Sequence, residues 1–335
     1  MPRHLRYQST PWASHLVTAR CTQGYSLLRP SQEENALIAG CLARSLEVYQ
    51  DEIHLHHYVI MSNHLHLIIS SASTGSKSRF MCHLSSNLAR ELCRAHKWSD
   101  HVWEGRYHSH ELLGEEAIMD AYKYLFKNSV KEGLVAHPKD WPGHHGWAQL
   151  CAGVRVEGVW VDRTGWYYAQ QTQRGRSLTI KDFTHHIEVK ARPPACWAGW
   201  GDVEYQERCV EWAEEATQEA LYERAVTLRM MRALSGELLD ERSGELIDDV
   251  PVLGARAVCE EPVFCSRRSP RRPRPLCRVR CPKRFLDYMK AYREFRESFL
   301  ESSRRLRVAL AARVRVPDVI FPVEGEALYV GRAVT

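Results

Sequence analysis

The chain has 335 residues, 44% of them hydrophobic and 26% charged, the composition of a globular protein rather than a disordered or fibrous one. A formal charge of +5 permits a nucleic-acid partner without requiring one. No run approaches the roughly 18 apolar residues of a bilayer helix, and no apolar stretch follows the basic N-terminus. The expectation is therefore a chain with no membrane contact and a cytoplasmic location, its 11 scattered cysteines kept as reduced thiols.

In chain order, Ser14 to Cys21 reads as a strand and Gln32 to Tyr49 as a helix with apolar residues at Ala36, Ile38, Leu42, Leu46 and Val48. Ile53 to Ser70 divides at Ser62-Asn63 into two strands of a hairpin. Ser71 to Ser78 reads as a Ser/Gly/Lys loop, and Phe80 to His96 as a helix with Phe80, Leu84, Leu88 and Leu92 in register. Arg106 to Leu113 is a fourth strand. Glu115 to Lys131, acidic at its start, basic at its end and followed by Gly133, is a capped helix. The order β-α-β-β-α-β-α predicts an α+β, ferredoxin-like fold: a small antiparallel sheet with helices on one side.

The pattern loosens beyond Pro142, which places a domain boundary near residue 150 and leaves 151–335 as a C-terminal extension. That extension is read as mostly helical. Glu204 to Leu234 is an acidic helix with Val210, Ala213, Ala216, Ala220, Leu221 and Val226 as its buried stripe, and Phe285 to Ala312 is another, with Phe285, Tyr288, Tyr292, Phe295, Phe299 and Leu306 aligned. Between them SGELLD at Ser235 is echoed at Ser243, the outline of a hairpin rather than of a repeat protein. The segment 265–284 carries Arg, Lys and Pro and no acidic residue, so it is expected to be extended. Two uses compete for it: tracking a phosphate backbone, or pairing with the acidic helix before it. Cys259, Cys265, Cys277 and Cys281 lack the tight knuckles of structural zinc.

His64-Leu65-His66 opens the second hairpin strand. Alternation puts both imidazoles on one face and Leu65 and Leu67 on the other, so the two rings can converge on one ion. Such a pair is more often a satisfied polar face, and His54-Leu55-His56, with the same spacing, is read as structural.

Three passages in order, MSNHLHLII, WEGRYHSHEL from Trp103 and YLFKNSVKEGLV from Tyr124, resemble the single-tyrosine HUH transposases, and within them the REP-associated tyrosine transposase branch. The resemblance covers roughly residues 1 to 147. It implies that His64 and His66 hold a divalent Mg²⁺ or Mn²⁺, that Tyr124 is the nucleophile and that Asn128 is a third ligand. Their i, i+4 spacing sets Tyr124 and Asn128 on one helix face. The implied reaction is cleavage and rejoining of single-stranded, hairpin-bearing DNA through a 5′-phosphotyrosine, in the bacterial cytoplasm or nucleoid, with no nucleotide cofactor and with a second copy of the chain as a possible partner. Tyr122 is the reserve nucleophile. Arg106 suits a phosphate contact or an ordinary salt bridge, and Arg3, His4 and Arg6 form either an arm along DNA or a frayed basic terminus.

Ser62 and Ser129 replace the prolines usual in the resembled motifs, and Phe126-Lys127 stands where a His-containing pair is common. No reacting group is lost, yet a domesticated, catalytically weak copy that binds single-stranded or hairpin DNA is the rival reading. The histidine-triad nucleotide hydrolases are a poor fit, because Ile68 stands where their third histidine must be and a Tyr/Asn helix lies downstream.

Overall fold

The computed structural model describes residues 6–172, 177–234, 252–260, 262–263, 276–311, 320–323 and 326–329. Strand β1 (Ser14–Arg20) leads to helix α1 (Gln32–Val48), whose N-terminus is capped by the Ser31 hydroxyl accepting from the Glu34 amide at 3.2 Å. Strands β2 (Ile53–Met61) and β3 (His64–Ser71) pair with Met61 opposite His64, so Ser62-Asn63 is a two-residue turn as the sequence predicts. Helix α2 (Thr74–Ala95) starts inside the stretch read as a loop, because Ser73 accepts from the Ser76 amide at 3.0 Å and starts the helix there. Strand β4 (His108–Leu112) and helix α3 (Glu115–Lys131) are joined through Gly114, whose φ of +101° is open to glycine and costly for other residues.

After α3 come a one-turn helix α4 (Trp147–Leu150), strand β5 (Val156–Val161), helix α5 (Arg163–Gln170), strand β6 (Thr184–Val189) and the long helix α6 (Asp202–Leu234). Helix α7 (Ala255–Glu260), strand β7 (Cys277–Arg278), helix α8 (Pro282–Ala311) and strands β8 (Ile320–Val323) and β9 (Glu326–Tyr329) follow. The echo at Ser235 and Ser243 lies outside the described residues, as do Arg3, His4 and Cys265. The other cysteines are all free thiols.

The main sheet has the order β2-β3-β1-β4-β7, antiparallel throughout except for the last pair. The α+β class and the element order are those expected, but the helices are divided between both faces. Leu65, Leu67 and Ile69 of β3, with Val17 and Ala19 of β1, pack beneath α1 and α2 against Leu42, Phe80, Leu84 and Leu88. The opposite face, with Leu16, Ile68 and Leu112, receives Tyr122, Leu125 and Phe126 of α3. One strand can feed both layers because its side chains alternate, and β3 has a leucine or isoleucine in each set.

The second layer runs on past residue 150. Ala213, Ala216 and Ala220 of α6 and the indoles of Trp197 and Trp212 are buried in the same cluster as α3. The small residues recur at three and four, which brings the α6 backbone close to α3. Around that seam α3 lysines meet α6 glutamates: Lys127 with Glu219 at 2.7 Å and Glu223 at 3.5 Å, and Lys123 with Glu215. Such exposed pairs add little each, so the apolar seam carries the packing. Of the predicted stripe Val210 is exposed, while the three alanines are buried as expected. The β5-β6 hairpin, which the sequence does not announce, lies against α1, where a Cβ on Gly40 would sit 2.2 Å from the Val159 carbonyl oxygen.

Candidate active site

Cross-strand pairing puts Arg20 opposite His64 and Thr18 opposite both His66 and His108, while Leu16 faces Ile68 and His110. Partners in an antiparallel ladder point to one face, so His64, His66, Arg20, Thr18 and His110 all look towards α3. Across from them, Tyr124 and Asn128 come from the helix face that meets the sheet. The Tyr124 hydroxyl lies 3.4 Å from His66 Nε2, and the two rings meet edge to face at 5.3 Å. The His64 and His66 rings are 4.8 Å apart, and the Asn128 side chain, itself buried, favours the ionised form of the Tyr124 phenol. Thus the four residues separated by as much as 64 positions in sequence form one cluster.

The second nitrogen of each imidazole is tied down. His64 Nδ1 donates to the Asn63 side-chain oxygen at 2.6 Å, which fixes Nε2 as the unprotonated nitrogen of the neutral ring. His66 Nδ1 lies 2.8 Å from Thr18 Oγ1, leaving Nε2 towards Tyr124. Both rings are held in the neutral form. Burial, assisted by the Arg20 charge, pulls His64 down to about 3, and burial together with His64, Arg20, Arg278 and His110 holds His66 well below its ordinary value. The Tyr124 phenol is raised by burial, while the nearby Arg278 and Arg20 guanidinium groups oppose that rise.

The pair His54/His56 has no such arrangement. A bulge between Leu55 and His57 breaks the alternation, and the buried His56 ring is used up by the Arg192 carbonyl and Ser70 Oγ, each at 2.7 Å. His54 stacks on Trp12 at 4.5 Å. Tyr122 is wholly buried on the α6 side of α3, its hydroxyl 2.9 Å from that of Tyr205. The neighbouring tyrosines of one helix therefore have opposite surroundings, one beside the histidines and the other inside an aromatic core.

Arg106 is exposed in the loop before β4, two residues after Glu104, whose amide donates to the Arg20 carbonyl at 2.8 Å. Arg6 is turned inward rather than extended as an arm: its guanidinium lies 3.7 Å from the Tyr107 ring centroid and donates to Ser78 Oγ at 2.6 Å. Sequence reasoning did not single out Arg20, Thr18, His110 or Arg278. The register with β3 could have found the first two, since Arg20 and Thr18 stand opposite the two histidines.

Residues 42–128 match the family model described as IS200-like transposase, a stretch that runs from α1 to Asn128 and holds both histidines and Tyr124. Among solved structures, a REP-associated tyrosine transposase bound to a REP hairpin is 17% identical, with a TM-score of 0.36 over 45% of this chain and 86% of that one. A Deinococcus radiodurans R1 protein described as a transposase is 16% identical, with a TM-score of 0.27 over 38% of this chain and 97% of that one. No curated protein matches. No helix among the described residues is long and apolar enough to cross a membrane.

Proposed function

We propose that this chain, whose residues 42–128 match the IS200-like transposase model, is a DNA strand transferase of the REP-associated single-tyrosine kind, with Tyr124 as its nucleophile. The observation that carries the reading is the Tyr124 hydroxyl 3.4 Å from His66 Nε2, on a sheet face where His64 stands beside it and Arg20 and Arg278 supply positive charge. A tyrosine held among cations has the surroundings that an attack on a phosphodiester needs, because negative charge gathers on the phosphoryl oxygens as the bond forms.

In the reaction Tyr124 Oη bonds to phosphorus, the bond from phosphorus to the 3′ oxygen breaks, and the phenolic proton passes, in net, to the departing 3′ oxygen. A 5′-phosphotyrosine and a free 3′-hydroxyl result. Attack by the 3′-hydroxyl of another DNA end reverses the step and joins the strands, so bond energy is kept and no nucleotide cofactor is called for.

We propose a divalent ion of the Mg²⁺ or Mn²⁺ kind at this donor set, where an amide oxygen, water and the phosphate would supply the oxygen ligands such ions need beside the two imidazoles. Two neutral imidazoles have their Nδ1 atoms anchored by Asn63 and Thr18, which leaves both Nε2 atoms as ligands, with the Asn128 amide oxygen as a third. The chemistry such an ion supplies is polarisation of a non-bridging phosphate oxygen. The chain's own part is to hold Tyr124: α3 is packed on the sheet by Tyr122, Leu125 and Phe126 and on α6 by the alanine seam, so the nucleophile sits on a rigid element.

The proposed substrate is single-stranded DNA carrying a hairpin, and a second copy of the chain is a candidate partner for exchanging ends. The test uses the purified full chain, labelled hairpin strands from the flanks of its own gene, Mg²⁺ or Mn²⁺ against EDTA, and Tyr124→Phe. The expected result is an SDS-stable protein–DNA adduct that needs the metal and Tyr124. Tight strand binding without an adduct under either metal would replace this reading with that of a domesticated DNA-binding protein.

A further inference from the structure

The C-terminal extension reaches the active site through two residues of strand. β7 adds to the free edge of β4 in parallel, with Leu112 opposite Arg278 and the Leu113 amide donating to the Arg278 carbonyl at 3.0 Å. This addition puts the Arg278 guanidinium 5.1 Å from the centroid of the Tyr124 ring. Two residues on, Arg280 makes a two-point ion pair with Asp120, one helical turn before Tyr124, with Nε at 2.7 Å from Oδ2. Further along, Arg284 closes over Gly114 at the start of α3, where a Cβ would lie 2.1 Å from Nη1. Three arginines of one short segment thus bear on the nucleophile helix. Of the basic segment 265–284, the described residues 276–284 meet α3 rather than the acidic α6, and residues 265–275 lie outside the described residues.

The arginines differ in what they have left to offer. Arg280 spends its donors on Asp120. Arg278, half-buried, has no hydrogen bond or ion pair for its side chain among the described residues, so its guanidinium donors are uncommitted beside the nucleophile. Next to it on β4 is His110, only 9% exposed, with neither ring nitrogen bonded to any described residue. Buried polar groups without partners are rare in folded proteins and mark places where a ligand or ion completes the set. A guanidinium over the tyrosine ring and an imidazole N–H from the same sheet face are the donors that suit a phosphate.

We propose that β7 completes the active site, and that Arg278, with His110 beside it, forms the pocket that binds the scissile phosphoryl group as Tyr124 attacks and holds it in the covalent intermediate. The inference rests on the strand-transfer reading above and adds to it a residue from outside the stretch 42–128 that matches the transposase model. On this view, that stretch alone lacks one of the phosphate ligands.

The test compares adduct formation by the full-length wild type, Tyr124→Phe, Arg278→Ala, Arg278→Lys and His110→Ala. Arg278→Ala is expected to slow the single-turnover rate about 100-fold, the usual effect of removing one charge-stabilising donor. Hairpin-strand Kd and Tm should remain close to wild type. Arg278→Lys should recover part of the rate, and millimolar ethylguanidinium should restore Arg278→Ala in a saturable way, which no loss of packing would allow. His110→Ala should slow the same step by about tenfold. An Arg278→Ala rate within threefold of wild type overturns the proposal, and so does a slow rate that tracks a fall in Tm and responds to neither lysine nor ethylguanidinium. If the wild type forms a Tyr124-dependent adduct and Arg278→Ala forms it equally well, only this inference fails; if the wild type forms none, the strand-transfer reading fails and takes it along.

Discussion

Tyr122 and Tyr124 offer a clean separation of stability from chemistry, since they are two residues apart and each can lose a single oxygen. Tyr122→Phe keeps a ring that packs on Trp197 at 5.0 Å, His57 at 5.1 Å and Trp212 at 6.0 Å, and removes only the hydroxyl bonded to Tyr205 at 2.9 Å. The Tyr205 hydroxyl then loses a buried partner. The cost should be about 1–2 kcal/mol. For a protein of 335 residues the Tm should fall by about 1.5–3 °C. The adduct assay, run well below the transition, should be unchanged, because the lost oxygen is sealed within the α3–α6 core. Tyr124→Phe gives the reverse: its hydroxyl makes a long, partly buried contact to His66, so Tm should move by less than about 1 °C while adduct formation disappears. Loss of the adduct in folded Tyr122→Phe, or its survival in Tyr124→Phe, would refute the assignment of the nucleophile by surroundings.

Three other perturbations test different parts of the structure. Removing either ring of the candidate metal pair, His64→Ala or His66→Ala, should weaken Mn²⁺ binding by at least tenfold in an EPR titration, while His54→Ala should leave it unchanged; equal effects would undo the distinction between the two pairs. Burial holds His56 down at about 4 and His145 at about 3, so the unfolded chain takes up protons near pH 6.5 that the folded chain refuses. Stability from these groups is complete above pH 6.5 and should fall towards pH 4 by on the order of 1 kcal/mol per pH unit for each; a flat urea midpoint between pH 7 and 4.5 would count against their burial as neutral rings. Gly40→Ala should cost about 1–3 kcal/mol by pushing α1 off β5, with adduct formation intact below the new Tm; a variant as stable as the wild type would show that the close approach at Val159 can relax freely.

Much of the site is legible in sequence because its parts obey local periods. Alternation along β3 assigns His64 and His66 to one face, and helical spacing puts Asn128 one turn from Tyr124. What periodicity cannot give is which face of the sheet a helix will cover. Ile68 sits among apolar neighbours on both sides in sequence, and only the packed structure reveals that its face takes α3 while that of Leu67 takes α1 and α2. The start of α2 was hidden because Ser73, Thr74, Gly75 and Ser76 have loop composition, and a capping hydroxyl and a loop hydroxyl are the same residue type. Arg278 was out of reach altogether. A two-residue strand has no period, and its parallel pairing with β4 joins positions more than 160 residues apart in a stretch whose composition reads only as basic and extended.

That pairing also orders events at the ribosome. With translation at about 5–20 residues per second, β4 emerges about 10–30 s before the strand that will cover its edge. During that interval the nascent chain carries both histidines and Tyr124 but not Arg278, and presents a bare strand edge to whatever is near. Under the proposed function, a strand transferase whose last phosphate ligand is translated late is slow to act on DNA close to its own unfinished synthesis, and an early stop between α6 and β7 would remove Arg278 while keeping the helix that packs on α3.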